Sequence, residues 1–399
     1  MSLYKEEFIN YFNKLGYQLL AEKNLAESQV GNVLVSASIM ANKELLESKS
    51  VKKVCYQKIF SSNRLDDIGK YPLATPYETM LSIFNSCENS VEEAINSIIN
   101  FLISHVNIKK EDLFFLCPNN RRVSDCLDDL DININNRLCW KEDIPLRLGK
   151  SESGQYLKIF IPYNGGVIPI ATLGFLQNND SVFVDSALFL ERLSFVASRK
   201  KDWFNDIYYD FIYKLVSKVL RNQELETCRR VCILLKSTAI LYVDGILLTN
   251  SGQGYITKKI MKMLVEETSQ QFNVLEIESI VKAILDFLND MTVVNNEVTI
   301  LENFIRDYKT LIENHDLIMK NVQKYLDRNG NTDFRLLHDR FGLSKMQAKL
   351  LNSKGGLEIL NIPNIENKFW FRNECYKFSN NNISNVLEFL KNSEQKRTR

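Results

Sequence analysis

Cys228 and Cys232 stand one helical turn apart, a spacing that can supply two corners of a metal site. No second pair and no neighbouring histidine completes the set, so they read as structural thiols and no metal centre is expected. His105, His315 and His338 are isolated from one another and from the cysteine pair. Neither a metalloprotease-type helical pair nor a nucleophile–His–acid set can be assembled from them. A phosphate loop of Walker type and a dinucleotide fingerprint are both missing, and Gly252-Gln-Gly254 is too short to stand for either. What remains is a series of polar residues whose order carries the information. It runs from Asp185 through Glu191-Arg192 and Asp244-Gly245 to Asn250, Lys258-Lys259 and finally Asp339.

The elements that would position them change character along the chain. Residues 3–20 carry Phe8, Tyr11, Phe12 and Leu15 at helical spacing, and the apolar run 32–40 reads as a strand or a strand entering a helix. Val91, Ala94, Ile95, Ile98, Leu102 and Val106 share one helical face over 91–106, with Ser90 and Glu93 spaced as a capping box. Residues 156–163 and 167–176 are strand-like runs joined by Asn164-Gly165-Gly166, a hairpin signal, and a third run follows at 181–185. Hairpin-linked neighbours imply an antiparallel sheet. From about Trp203 helical patterns dominate, at 203–220, 227–243, 254–268, 276–290 and 298–327. The chain therefore reads as α+β over 1–200 and mainly helical over 201–399.

Composition sets the outer bounds. The chain has 399 residues, 45% hydrophobic and 25% charged, with a net charge of +1, which is the profile of an ordinary globular protein. No apolar run approaches the ~20 residues needed to span a bilayer, and the N-terminus lacks a secretory h-region, so no membrane partner is expected. Eight cysteines at scattered spacings fit reduced thiols and a cytoplasmic setting. With so little net charge, any nucleic-acid contact must come from a local basic stripe.

The succession of motifs resembles alanyl-tRNA synthetase, a class II aminoacyl-tRNA synthetase. Leu190-Glu191-Arg192-Leu193 is similar to the Gly-Leu-Glu-Arg core of that family's third motif, with Phe189 where the family has Gly. Residues 244–255 resemble its Asp-Gly-(apolar)-Pro-Ser-Asn-x-x-x-Gly-Tyr segment, and 334–342 its Phe-Arg-Leu-Tyr-Asp-Thr-Tyr-Gly-Phe block. The resemblance implies a class II antiparallel sheet with flanking helices, a catalytic (adenylation) domain at 1–200 and a helical tRNA-recognition domain at 201–399. No counterpart of the family's editing or C-terminal domains is seen.

It also implies roles. Asp185 falls where the family binds the α-amino group, and a carboxylate in a pocket is costly unless it meets a cation such as a substrate ammonium. Arg192 matches the arginine that grips ATP, work suited to a permanently charged guanidinium. A helix-surface ion pair with Glu191 or a neighbour is the alternative there. Trp140 lies near the tryptophan lining the adenylate pocket, where core packing is the competing reading. The implied substrate-binding set is Asp185, Trp140 and Thr172, the ATP-binding set Arg192, Glu78 and Trp140, with ATP and Mg2+ as cofactors. Motif 2 departs from the pattern. Anchored on Met80-Leu81, the α-phosphate arginine becomes Leu73, and Glu78 stands one place off the family's glutamate. Losing such a cation commonly costs ~10²-fold or more. Arg64, Lys58 and Lys70 are the nearby substitutes. On the helical side, Asn250 and Asp339 occupy the positions that read the acceptor-stem G·U pair, with Lys258 and Lys259 placed for phosphates and Lys262 beside them. A Ser-Gly turn and an ordinary helix surface are the alternatives for Asn250 and Asp339. Three functions follow as expectations. The first is an ATP-dependent ligase charging a tRNA of alanine type with a small amino acid, alanine foremost. The others are an eroded paralogue that binds tRNA, and an adenylate-forming ligase with a non-tRNA acceptor.

Overall fold

The computed structural model describes residues 3–48, 50–62, 65, 68–69, 73–139, 146–148, 152–163, 166–178, 181–220, 225–290, 294–353 and 359–361. The chain divides into two units. One comprises Met1–Asp66 with Tyr71–Asp210, the other Asp67–Lys70 with Phe211–Lys368.

The first unit is built on one large sheet. In chain order it contains α1 (Leu3–Lys14), β1 (Gln18–Leu19), α2 (Ser38–Ala41), β2 (Lys52–Phe60), β3 (Tyr77–Asn85), α3 (Ser90–Ser104) and β4 (Phe114–Cys117). Then come α4 (Arg121–Asp129), β5 (Arg137–Cys139), β6 (Leu146–Leu148), β7 (Glu152–Tyr163), β8 (Gly166–Asn178), β9 (Ser181–Phe189) and α5 (Leu190–Ala197). The strands lie in the order β1-β2-β3-β9-β8-β7-β4-β5, and β6 also pairs with β7. Every pairing is antiparallel except β1–β2 and β4–β5, at the two edges. The central pair β3–β9 is the long-range join, and at its middle the Ser186 hydroxyl takes the place of a backbone acceptor for Ile83 N–H at 2.9 Å. One face of the sheet is closed by α3, whose Glu93 accepts from Asn85 on β3 at 3.3 Å. On the other face Ile39 and Leu46 pack over Cys55, Phe84, Leu176 and Phe183.

The second unit consists of α6 (Asp210–Val219), α7 (Leu225–Val243), α8 (Gln253–Thr268), α9 (Val274–Asn289) and α10 (Glu297–Asn329). A short parallel pair, β10 (Thr332–Asp333) with β11 (Ile359–Leu360), brackets α11 (Phe334–Phe341) and α12 (Lys345–Ser353). Cys228 and Cys232 are buried in α7 as free thiols that burial pushes upward in pKa.

Several local expectations need correcting. The N-terminal helix ends at Lys14, because the chain turns at Gly16 (φ +85°) and enters β1. Residues 32–37 are irregular and only Ser38–Ala41 is helical. Their apolar side chains serve as a cover, and the backbone is used singly: Val35 N–H meets Leu25 and Val35 C=O takes Phe60 N–H. The capping box at Ser90 is absent. Asn89, in the left-handed region at φ 60°, precedes the helix, and Ser90 Oγ donates to Val182 C=O at 3.0 Å. The hairpin strands pair from Gly154–Leu176 to Tyr163–Gly166, with Asn164 and Gly165 outside the described residues.

Candidate functional site

Side chains alternate across strands, so the pairing defines which residues share the face that carries Asp185. One row runs Tyr156–Gly174–Asp185–Phe84, and the next runs Lys158–Thr172–Ala187. Most of this face is covered: Phe84 and Ser82 are wholly buried, and Ser82 Oγ donates to Ser38 Oγ of α2 at 2.7 Å. Lys158, Thr172, Asp185 and Ala187 are half-buried and form the open part of these two rows. Asp185 Oδ1 is buried without a hydrogen-bond donor among the described residues. Burial alone pushes the Asp185 carboxyl up to about 8. A carboxyl held that high is neutral at physiological pH until a cation enters and draws it into the charged form. The adjacent Cys55 thiol is raised as well, first by burial and then by Asp185. The structure thus brings Asp185 and Thr172 onto one open surface.

Arg192 is placed differently. It follows β9 at the start of α5, has no exposed surface, and lies 3.7 Å above the Phe189 ring. Its Nε and Nη2 donate to the two carboxylate oxygens of Glu78 at 2.5 and 2.6 Å, and Nη1 donates to Pro169 C=O at 2.8 Å. The neighbouring Glu191 accepts from Thr79 N–H at 2.8 Å and from Thr79 Oγ1 at 3.0 Å. Consecutive residues of α5 therefore grip consecutive residues of β3. A bidentate guanidinium–carboxylate pair is among the strongest charge-assisted contacts a protein makes. The partner expected for Arg192 on the helix surface, Glu191, is engaged elsewhere, and the actual partner is Glu78. Two of the three residues assigned to ATP, Arg192 and Glu78, consequently face each other, and Leu73, in the place of the α-phosphate arginine, is wholly buried. Lys58 lies on the opposite face of β2 with Glu22 at 3.7 Å. Trp140, Arg64 and Lys70 lie outside the described residues. Among the described residues no group of three or more His, Cys, Asp or Glu is arranged to hold a metal. As packed, then, the Arg192–Glu78 pair does not fit a nucleotide.

In the second unit Asn250 is exposed in the turn before α8, and its Oδ1 accepts from Lys258 Nζ at 2.6 Å. The turn depends on its glycines. Gly252 adopts φ +65°, and a Cβ on Gly254 would lie 2.2 Å from Leu247 C=O. Asn250, Tyr255, Lys258, Lys259, Lys262, Met263 and Glu266 line a recess of about 250 Å³. Met263 lies among the lysines of this lining. At its far end Glu266, raised in pKa by burial, bonds Ser344, five residues beyond Asp339. Asp339 itself is exposed on α11. Tyr255, which the sequence placed at the end of the 244–255 segment without a role, is 52% exposed beside three lysines.

No family model matches the chain. The alanine–tRNA ligase of Coxiella burnetii (strain Dugway 5J108-111) is 27% identical over 113 residues, covering 27% of this chain and 12% of that protein. That of Legionella pneumophila (strain Paris) is 21% identical over 301 residues, covering 65% of this chain and 35% of the ligase. The chain thus spans about a third or less of the curated relatives it matches. Among solved structures, apo histidyl-tRNA synthetase of S. aureus gives a TM-score of 0.37 at 9% identity, over 55% of this chain and 75% of that one. Pyrrolysyl-tRNA synthetase from Desulfitobacterium hafniense gives 0.29 at 10%, over 51% and 71%. The described residues form a largely antiparallel sheet with flanking helices, followed along the chain by a helical region. The sequence similarity lies with alanine–tRNA ligases, at 21–27% identity over these stretches. Among the described residues no helix is long and apolar enough to cross a membrane.

Proposed function

We propose that this chain is an aminoacyl-tRNA synthetase-like ligase that takes a small amino acid, alanine foremost, by its ammonium group at Asp185 and passes it to tRNA. The observation that carries the reading is Asp185 Oδ1, a buried oxygen of a half-buried residue, without a donor among the described residues. Retaining a carboxyl in that state costs stability, and a substrate ammonium is the partner that offsets it. Thr172 and Ala187, paired in the row beside Asp185, are small half-buried residues that leave room for a small side chain. Asn250, Lys258 and Lys259, with Asp339 on α11, would take an acceptor stem of alanine type, amide and carboxylate reading base edges while lysines meet phosphates.

ATP with Mg2+ is what the similarity to alanine–tRNA ligases supports for the activation step. The buried Arg192–Glu78 pair favours a second reading, a module that keeps amino-acid and tRNA sites without a nucleotide grip. ATP–pyrophosphate exchange across a panel of amino acids separates them. Exchange with one small amino acid supports the ligase. Amino-acid and tRNA binding without exchange supports the module.

A further inference from the structure

One side of α8 is buried through Thr257, Ile260, Met261, Leu264 and Val265, and the other lines the recess beside Asn250. On that outer side Tyr255 is followed at three, four and seven residues by Lys258, Lys259 and Lys262. Residues at those offsets share a helix face, and Tyr255 to Lys262 spans two turns, about 10 Å. Two features distinguish this stripe from an ordinary solvated face. The first is the Tyr255 ring, 52% exposed and in contact with no other ring and no cation among the described residues. Elsewhere a cation covers such a face: Lys52 lies over Tyr17, Lys5 over Tyr56 and Arg340 over Tyr325. Here Lys258, the nearest lysine along the helix, donates instead to Asn250 Oδ1 at 2.6 Å, and the ring stays open. The second feature is charge. Three lysines share the lining with one carboxyl, Glu266, which burial holds toward its neutral form and which bonds Ser344. The ring is also presented from a fixed turn. Thr249 N–H donates to Gly254 C=O at 3.2 Å, Thr257 Oγ1 donates to Ile246 C=O at 2.8 Å, and Gly254 leaves no room for a Cβ. An open aromatic face among cations fits a flat ring joined to a phosphate, which is the chemistry of a nucleotide. Stacking requires that the base's own face be open. Neighbouring pairs cover those faces inside a duplex, so the fit is to an unpaired nucleotide. Met263, apolar and polarizable, lies beside the same plane.

We propose that Tyr255 is a stacking platform for an unpaired RNA nucleotide, with Lys259 and Lys262 meeting its phosphates. This rests on the reading of Asn250 and Lys258 as part of an acceptor-stem site. The recess takes single-stranded nucleotides that continue from the stem, and it favours an extended stem over a blunt one. Every base has a face to stack, so Tyr255 adds affinity without sequence preference and leaves base reading to Asn250 and Asp339.

The experiment measures binding of the full chain to a blunt G·U-bearing stem hairpin and to the same hairpin with about four unpaired nucleotides extending its 3′ strand. A fluorescent purine analogue in the extension reports stacking. Wild-type protein should bind the extended hairpin about tenfold tighter than the blunt one and quench the reporter. Tyr255→Ala should bring the extended hairpin down to the level of the blunt one and abolish the quench, with blunt-hairpin binding unchanged. That unchanged binding also shows that the variant is folded. Tyr255→Phe, which keeps the ring, should retain both the preference and the quench. Lys262→Ala should weaken the extended hairpin and lower its salt slope by about one while the quench persists. If wild-type protein binds the two hairpins alike, or Tyr255→Ala preserves the gap and the quench, the proposal is overturned and the stem site keeps its role. If polyglutamate binds as tightly as the extended hairpin and loses that affinity in Tyr255→Ala, the recess is an acidic-peptide site and the proposal is likewise overturned. If neither hairpin binds, the stem site fails and this proposal with it.

Discussion

Asp185→Asn separates a functional carboxyl from an incidental one through stability rather than activity. The folded Asp185 carboxyl sits at about 8 against an ordinary value of 3.8. A group whose folded pKa is raised binds more protons folded than unfolded, so stability falls as pH rises between those values and is flat outside them. A rise of about four units at 1.36 kcal/mol each sets a ceiling of about 6 kcal/mol. Asp185 is half-buried, and solvent reaching the group reduces that to roughly 2–4 kcal/mol. Cys55, the titratable neighbour, ionises far above this range and adds nothing to it. Asparagine keeps the shape and has no charge to desolvate. Urea unfolding should therefore find the variant ahead by about 1 kcal/mol or less at pH 5 and by roughly 2–4 kcal/mol at pH 8.5. For the same reason an amino acid's affinity for wild type should improve with pH up to about 8, since its ammonium must displace the Asp185 proton. A stability gap that does not change from pH 5 to 8.5 would refute the reasoning, as would a variant less stable at both.

Arg192→Ala should cost about 3–5 kcal/mol in urea or thermal unfolding, because it strands Glu78 in the core; the same loss of ATP affinity with stability intact would return Arg192 to the nucleotide. Asn250→Ala or Asp339→Ala should narrow the affinity gap between a G·U-bearing acceptor stem and its G·C variant by roughly 1–3 kcal/mol. Lys258→Ala should weaken both stems alike and lower the salt slope, and equal binding of the two stems by wild-type protein would remove the base-reading role.

The parts of the fold that were legible in the sequence are those whose pattern is local. Asn-Gly between apolar runs announced β7 and β8, and 3.6-residue periodicity located α7 to α10 within a few residues of their ends. β2 and β3 were missed, although they flank the centre of the sheet. All nine residues of β3 are buried, so it shows no alternation of apolar and polar positions. The apolar run 32–40 misled for the related reason that burial without periodicity does not choose between a strand and a packed loop. At the candidate site, Asp185 was visible through its motif, but the identity of Arg192's partner was not. Glu78 lies 114 residues away and becomes its neighbour only through the pairing of β3 with β9.

That same separation sets a timetable for synthesis. β2 and β3 can pair as soon as both have left the ribosome, but β3's second edge waits for β9, and its grip on α5 waits for Glu191 and Arg192. At about 5–20 residues per second, 114 residues take on the order of ten seconds. For that interval a nine-residue strand destined for full burial carries one unpaired edge, the kind of surface on which nascent chains join one another. A long-range central pairing of this sort also makes folding slow once the chain is complete, since the loop between the strands must close before its contacts form. The two-rung clamp that fixes α5 to β3 is thus the last part of the sheet to be made, and the yield of folded chains should depend on growth temperature and chaperone supply more than on the final stability.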